Sequence, residues 1–264
     1  MGDIRFERFF SVDSPKAIKA AKFHYLNAIN YMAPHTSGGA GNLCSHASAG
    51  CIALCLGRES GQAAMVSRVT GTNGVRQSRE RKARYFMQER TAYLNEMLLH
   101  IARNVRSARN KGLTLAVRPN GSTDIAYEGL RVFIDDTLAA SLSRVSGLVV
   151  SAGLHTIFSA FPSVQFLDYT KNPNRFKRAL PANYHLTFSR SETNDATALD
   201  ILSRGFNVAV VFRGKIPASW HGYRVIDGDE HDLRFLDDAN VVVGLTPKGN
   251  KAKRDQSGFV VAAA

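Results

Sequence analysis

An α/β fold on a mainly parallel sheet, arranged as a full or partial (β/α) barrel, is predicted by three observations. Short, nearly continuous apolar runs recur along the chain, stretches of helical length separate several of them, and the runs end in polar residues. Apolar runs of this kind suit strands covered on both faces. Alternating strands and helices imply parallel pairing through crossovers. The runs are residues 23–34 (FHYLNAINYMAP), 113–117 (LTLAV), 164–170 (VQFLDYT), 184–188 (YHLTF), 208–212 (VAVVF), 223–226 (YRVI) and 241–245 (VVVGL). The expectation is therefore about six to seven mainly parallel strands, with a cysteine-bearing loop after the first. In such folds chemistry sits at the carboxyl ends of the strands.

The 264 residues suit a single α/β domain. Residues 1–22 read as a lead-in, and residues 130–153 as an insertion into the strand–helix pattern. Between residues 76 and 109 the apolar residues Tyr85, Phe86, Tyr93, Leu94, Met97, Leu98 and Ile101 recur at three- and four-residue steps, which predicts one long amphipathic helix. A second helix is expected over Asn194 to Arg204, closed by Gly205.

Lysine and arginine outnumber aspartate and glutamate by 34 to 22, a net charge of +12. That balance favours a polyanionic partner, a nucleic acid or a nucleotide, over a merely solvated basic surface. Arg76, Arg79, Arg81, Lys82 and Arg84 open the long helix and form the densest positive region, the expected nucleic-acid-binding face. No apolar run is long enough to span a bilayer, and the opening MGDIRFERFF has no apolar signal region, so no membrane partner and a cytoplasmic location are expected. The sequence does not define the oligomeric state.

The three cysteines, Cys44, Cys51 and Cys55, all lie in the segment CSHASAGCIALC, with spacing C-x6-C-x3-C. Confinement to one window speaks for metal or redox chemistry and against a disulfide scaffold. Three soft thiolates suit a [4Fe–4S] cluster with one open iron. Zinc, completed by His35 or His46, is the alternative, although the usual C-x2-C knuckle is absent. The plainer reading is three small buried side chains.

Polar residues at the strand ends supply the other candidates. Asp124, Asp168, Glu192, Asp227 and Asp229 could gather Mg²⁺ or Mn²⁺ for phosphodiester cleavage, or could cap helices and loops. With His231 they form the catalytic candidates. Arg118, Asn120, Tyr169, Lys171, Ser189 and Ser191 could bind a cofactor carboxylate, ribose or phosphate, and Lys248, Lys251, Lys253 and Arg254 could contact phosphates. No phosphate-binding loop follows Gly38, Gly39 and Gly41, and no serine-hydrolase elbow is present.

Several stretches carry a resemblance: the cysteine segment, RPNGSTDI, VQFLDYTKNPNRF, NYHLTFSRSETN, and the tail from GDEHDLRFLD to KGNKAKRDQSGFVV. From about Tyr25 to Val261 the chain resembles the phage and plasmid family typified by mycobacteriophage gene product eighty-eight. That family carries the same cysteine spacing but brings no assigned reaction. The resemblance implies the cytoplasm of a bacterial host. Some members have further cysteines near the C-terminus; this chain has none, which implies a single cluster. The layout is also distantly similar to the radical SAM superfamily, in which a three-cysteine loop follows the first strand of a partial (β/α)6 barrel and the open iron binds S-adenosylmethionine. The superfamily spacing is C-x3-C-x2-C, and its glycine-glycine-acidic motif is replaced here by RPNGSTD. The expected function is that of an iron–sulfur protein with a radical-SAM-like barrel, acting on nucleic acid or a nucleotide. The alternatives are a non-enzymatic, metal-stabilised nucleic-acid-binding protein of phage or plasmid replication, and a divalent-metal-dependent nuclease.

Overall fold

The computed structural model describes residues 5–262; residues 1–4, the start of the lead-in, and residues 263–264 lie outside it. From the N-terminus the chain runs through α1 (Pro15–Lys19), β1 (Tyr25–Ile29), the short helices α2 (Ala49–Ala53) and α3 (Leu56–Glu59), the long helices α4 (Gly74–Gln88) and α5 (Arg90–Asn110), and β2 (Thr114–Arg118). Next come β3 (Val132–Ile134), α6 (Asp136–Ser146), β4 (Gly153–His155) and α7 (Ile157–Ala160). The rest comprises β5 (Gln165–Thr170), β6 (Tyr184–Ser189), α8 (Asp195–Ser203), β7 (Val208–Arg213), β8 (Ser219–Trp220), β9 (Tyr223–Asp227), β10 (Val242–Leu245), α9 (Gly249–Lys253) and β11 (Val261–Ala262).

The central sheet has the order β1-β2-β5-β6-β7-β10-β9-β8, with β11 beside the end of β7. All neighbours are parallel except β8, which pairs antiparallel with β9. The mixed α/β class and the mostly parallel sheet are as expected. Six strands, from β1 through β2, β5, β6 and β7 to β10, lie side by side in chain order.

The sheet does not close into a full barrel, because both edges are occupied. Ser11 exchanges backbone hydrogen bonds of 2.8 and 2.9 Å with Ile29 and covers the outer edge of β1. The β8–β9 hairpin ends the opposite edge. Residues 130–153 supply β3 and α6, and β3 pairs antiparallel with β4 in a separate two-stranded sheet.

Side-chain alternation places the two faces of the sheet in different surroundings. One face carries Leu26, Ala28, Leu115, Val117, Phe166, Leu186, Phe188, Val208 and Val210 into the main core, where they meet the helices. On the other face Ala116 and Leu167 pack with Ala20 and Leu233, flanked by Phe23, Tyr25 and Phe235. This plug fills only part of that face and leaves room at the carboxyl ends of the strands.

The single helix expected over residues 76–109 is two helices that meet at Glu89. No glycine or proline marks the junction. The break is tertiary: it lets Tyr93 meet Tyr85 at 5.7 Å, Phe86 at 5.1 Å and Phe9 at 4.9 Å between ring centroids. Arg5 holds the joint by a two-pronged ion pair to Glu89.

Most residues of the expected basic face make bonds within the fold. Lys82 is buried, and its Nζ donates to Phe9 O at 2.6 Å. Arg76 donates from Nε to Ala63 O at 2.6 Å and from Nη2 to Arg58 O at 2.9 Å. Arg79 donates to Gly57 O and stacks over Tyr31 at 4.8 Å. Arg84 reaches Gly38 O at 3.3 Å. Arg81 remains exposed. Most of these cations hold backbone carbonyls, because one side of the helix start lies against the turns that follow the cysteine-bearing segment.

Burial, with Arg79 close by, lowers Lys82 to about 7. Between that value and 10.5 the unfolded chain holds a proton the folded chain lacks, so the contribution of Lys82 to stability rises with pH across this window. Lys82→Met removes that rise. Its stability relative to wild type should fall by up to about 1.4 kcal/mol per pH unit from about pH 7 to about pH 10. Urea unfolding at several pH values checks this; parallel pH profiles would refute it.

Candidate functional site

The room left at the carboxyl ends of the strands is a cavity of about 220 Å³. Cys44, Cys51 and Cys55 line it together with Arg118, Tyr169 and Lys171. Asn120, Asp124, Ser189 and Asp229 also reach it.

The three thiols come from three different local structures. Cys44 lies in the loop before α2, where its Sγ accepts from His35 N at 3.3 Å and points toward Ser122 O at 3.9 Å. Cys51 lies inside α2. Ser48 caps that helix by accepting from Cys51 N, and donates in turn to Glu192 Oε2 at 2.8 Å. Gly50 N donates to Glu192 Oε1 at 2.7 Å, so one carboxylate from the end of β6 fixes the start of the Cys51 helix. Negative charge at a helix start is favourable. Cys55 precedes α3, and its carbonyl accepts from Glu59 N at 2.7 Å.

Close backbone approach presses this segment onto the sheet. A Cβ on Gly57 would stand 2.5 Å from Ser122 Cβ, and one on Gly50 would stand 2.7 Å from Glu192 Oε2. At Gly57 the atom met is a Cβ, which moves only with its backbone, whereas at Gly50 the atoms met are the ends of the Glu192 and Ser257 side chains.

Burial pushes the Cys44 thiol up to about 12 and Cys55 up to about 11, and raises Cys51 as well. The charges of Cys55 and Cys51 add to the rise at Cys44, and that of Cys51 to the rise at Cys55, whereas Cys51 is influenced by Lys171, Asp124 and Glu192. All three thiols open onto the same cavity. A positive centre among them would deprotonate them.

The polar residues of the cavity are held from behind. Arg118 donates to Asp232 Oδ2 at 2.7 Å and to Asn120 O at 3.2 Å, and lies 4.6 Å from the centre of the Tyr169 ring. The Tyr169 hydroxyl donates to Asp232 Oδ1 at 3.2 Å. Lys171 Nζ donates to Ser189 Oγ at 2.8 Å and to the carbonyls of Ser189 and Arg190. Burial lowers its pKa, an effect the nearby Cys51, Asp124 and Glu192 oppose.

Asp124 accepts from Thr170 Oγ1 at 2.7 Å, Lys171 N at 2.8 Å and Arg175 Nη1 at 3.1 Å. Asp168 lies beneath the cavity, fully buried, and accepts from Asn120 N, Asn120 Nδ2 and the Tyr184 hydroxyl, each at 2.8 Å. Burial raises Asp168 to about 6 against these donors and the Arg175 and Arg118 charges.

Of the other candidates, Ser191, Asp227 and His231 stand apart from the cavity, whereas Asp229 lies on its rim. Ser191 is buried, with its N–H donating to Asn194 Oδ1 at 2.6 Å. Asp227 is exposed and accepts from Asp229 N; Asp229 accepts from Thr246 N at 3.0 Å and pairs with Lys248. His231 packs edgewise on Phe23 at 4.5 Å and accepts from Leu233 N. His35 lines the cavity, whereas His46 is exposed beside Ser45.

The carboxylates expected to gather a divalent ion are therefore dispersed, each bound into the scaffold. Among the described residues no three His, Cys, Asp or Glu side chains converge closely enough to hold one metal ion. Asp232, Arg175 and Thr246 were not singled out from the sequence. Asp232 ends the acidic DGDEHD run, and Arg175 lies in KNPNRF, the only signals that could have marked them.

Fold and site together define a mixed α/β protein whose open, mostly parallel sheet carries a thiol-lined cavity at its carboxyl edge. The chain belongs to the Gene product 88 family, whose family model matches residues 9–263. Neither the curated proteins nor the solved structures yield a match. Among the described residues no helix is long and apolar enough to cross a membrane.

Gly57→Ala should destabilise the protein by about 1–3 kcal/mol, the usual effect of overpacking. Ser122→Gly in the same chain should make the added cost of Gly57→Ala smaller than in wild type, because Ser122 Cβ is the atom met, although Ser122→Gly alone loses the hydrogen bond to Met32 O. Thermal unfolding of the single and double variants tests this; an unperturbed single variant would show that the segment does not press on Ser122.

Proposed function

We propose that Cys44, Cys51 and Cys55 hold a [4Fe–4S] cluster and that the protein is a radical-SAM-like enzyme acting on nucleic acid or a nucleotide. The observation that carries this reading is that three thiols, from one short segment, line one cavity at the carboxyl ends of six parallel strands laid out in chain order. An open sheet of that layout is compatible with a partial barrel.

The donor set fits such a cluster. The thiols are soft ligands, and they sit around the wall of one cavity. Zinc would need its ligands drawn to about 2.3 Å of a single point. A cluster held by three thiolates supplies single electrons and leaves one iron open to a small molecule.

The remaining work belongs to the chain's own residues. Arg118, pinned by Asp232 and stacked on Tyr169, presents a permanent positive charge for a carboxylate or phosphate. Lys171 and Ser189 form a polar pair on the wall beside Cys51. Ile52 and Leu56 give the cavity an apolar rim against which an adenosine or a substrate base can be desolvated. S-adenosylmethionine, with its carboxylate, ribose and base, is the cofactor this lining suits.

Protein purified without oxygen and reconstituted should contain about four irons and four sulfides per chain and show thiolate-to-iron absorption in the visible. Serine at Cys44, Cys51 or Cys55 should remove most of that absorption while the fold, followed by circular dichroism, is kept. Under a strong reductant the loaded protein should cleave S-adenosylmethionine. A colourless, iron-free protein would overturn the cluster reading, and bound zinc would point to the metal-stabilised alternative.

A further inference from the structure

A second depression lies away from the thiol cavity, along the side of the sheet below β5 and β6. It is a groove of about 1280 Å³ whose walls include Arg131, Lys177 and Arg178, all exposed. Among the described residues none of the three pairs with a carboxylate. One carboxylate, Glu128, lines the groove, and both its oxygens are taken by Arg175 at 2.7 and 2.8 Å. The groove therefore keeps an uncompensated positive charge. Its remaining polar lining is neutral, with Asn172, Asn174 and Gln165 among the donors and acceptors.

The antiparallel β3–β4 pair adjoins the groove, whose lining includes the flanking Arg131 and Thr156. Arg131 precedes β3, and alternation along the strand sends Val132 and Ile134 inward while Phe133 stays 64 % exposed. The register pairs Phe133 directly with Leu154, itself 67 % exposed. Arg131 and Phe133 thus alternate on one outward face, the cation at the groove and the ring beside it. An exposed aromatic beside unpaired cations is the arrangement that binds single-stranded nucleic acid: cations follow the phosphates, and the ring takes a base face that a duplex keeps stacked.

We infer that this groove, with the Phe133–Leu154 platform, binds single-stranded nucleic acid. The site lies on residues 131–133, 154 and 174–178, away from the helix start that carries the densest run of arginines. It names a substrate class for the function proposed above but does not depend on the cluster.

Fluorescence anisotropy with labelled single-stranded DNA and RNA of ~20 nucleotides, a duplex of the same sequence and competing polyphosphate tests the inference. Single strands should bind, with affinity falling steeply as salt rises. Glu at Arg131, Lys177 and Arg178 together should weaken binding by about tenfold or more and flatten the salt dependence. Phe133→Ala should weaken single-strand binding by about fivefold or more and leave polyphosphate competition unchanged. Comparing the DNA and RNA arms identifies the natural strand. Serine at all three cysteines should leave binding intact, so loss of the cluster reading and loss of this one are separate results. Unchanged binding in the triple reversal, duplex binding as tight as single-strand binding, or indifference to Phe133→Ala would each overturn the inference.

Discussion

The Asp168 carboxylate governs the geometry of the cavity. It is fully buried at the middle of β5 and accepts both the backbone and side-chain N–H groups of Asn120. That pair turns the chain immediately after β2, and Asn120 Oδ1 then accepts from Thr123 Oγ1 and Ile125 N to shape the following residues. Gly121 N is brought to Asn30 O, and Ser122 Oγ to Met32 O, which ties the loop to the end of β1. The cysteine segment packs on this loop at Gly57. A buried carboxylate without donors would cost several kcal/mol, so the interaction that satisfies Asp168 also fixes where the thiols lie.

The positive charge of the chain illustrates how composition and structure part company. A dense run of arginines at a helix start reads as an anion-binding surface, because sequence shows the charge but not what it faces. In the fold Arg76, Arg79 and Lys82 donate to carbonyls of residues 57–63 and of Phe9. Short helices and turns leave carbonyls that need donors, and a long cationic side chain supplies one over a distance no backbone group could span. The arginines are thus part of what holds the cysteine segment.

The strands were largely legible, since apolar runs ending in polar residues have a local cause: burial on both faces. LTLAV, VQFLDYT, YHLTF, VAVVF, YRVI and VVVGL all contain strands of the sheet. Their order across the sheet was less so. That β10 sits between β7 and β9, and that Ser11 covers β1, are set by long-range pairing with no local signature. The break at Glu89 was hidden for the same reason, as it serves contacts to Phe9 and Tyr93. At the site, the thiols, Arg118, Asn120, Tyr169, Lys171 and Ser189 were visible because strand ends can be located. Asp232 was not, because its role depends on a loop folding back from β9 to reach Arg118.

The thiol cavity and the lateral groove are joined by one side chain. Arg175 holds Asp124, which lines the cavity, and Glu128, which lines the groove, and donates to the Tyr184 hydroxyl that in turn donates to Asp168. A guanidinium does not lose its proton in a protein, so this tie keeps its charge through any pH change. Its geometry is equally fixed, since planar two-pronged bonding to Glu128 leaves little freedom to rotate. Arg175 therefore ties the cavity wall to the groove wall, and a ligand seated in the groove would be held relative to the thiols through that tie. A separately hinged binding surface would have to recover that alignment at each encounter, at a cost in ordering entropy.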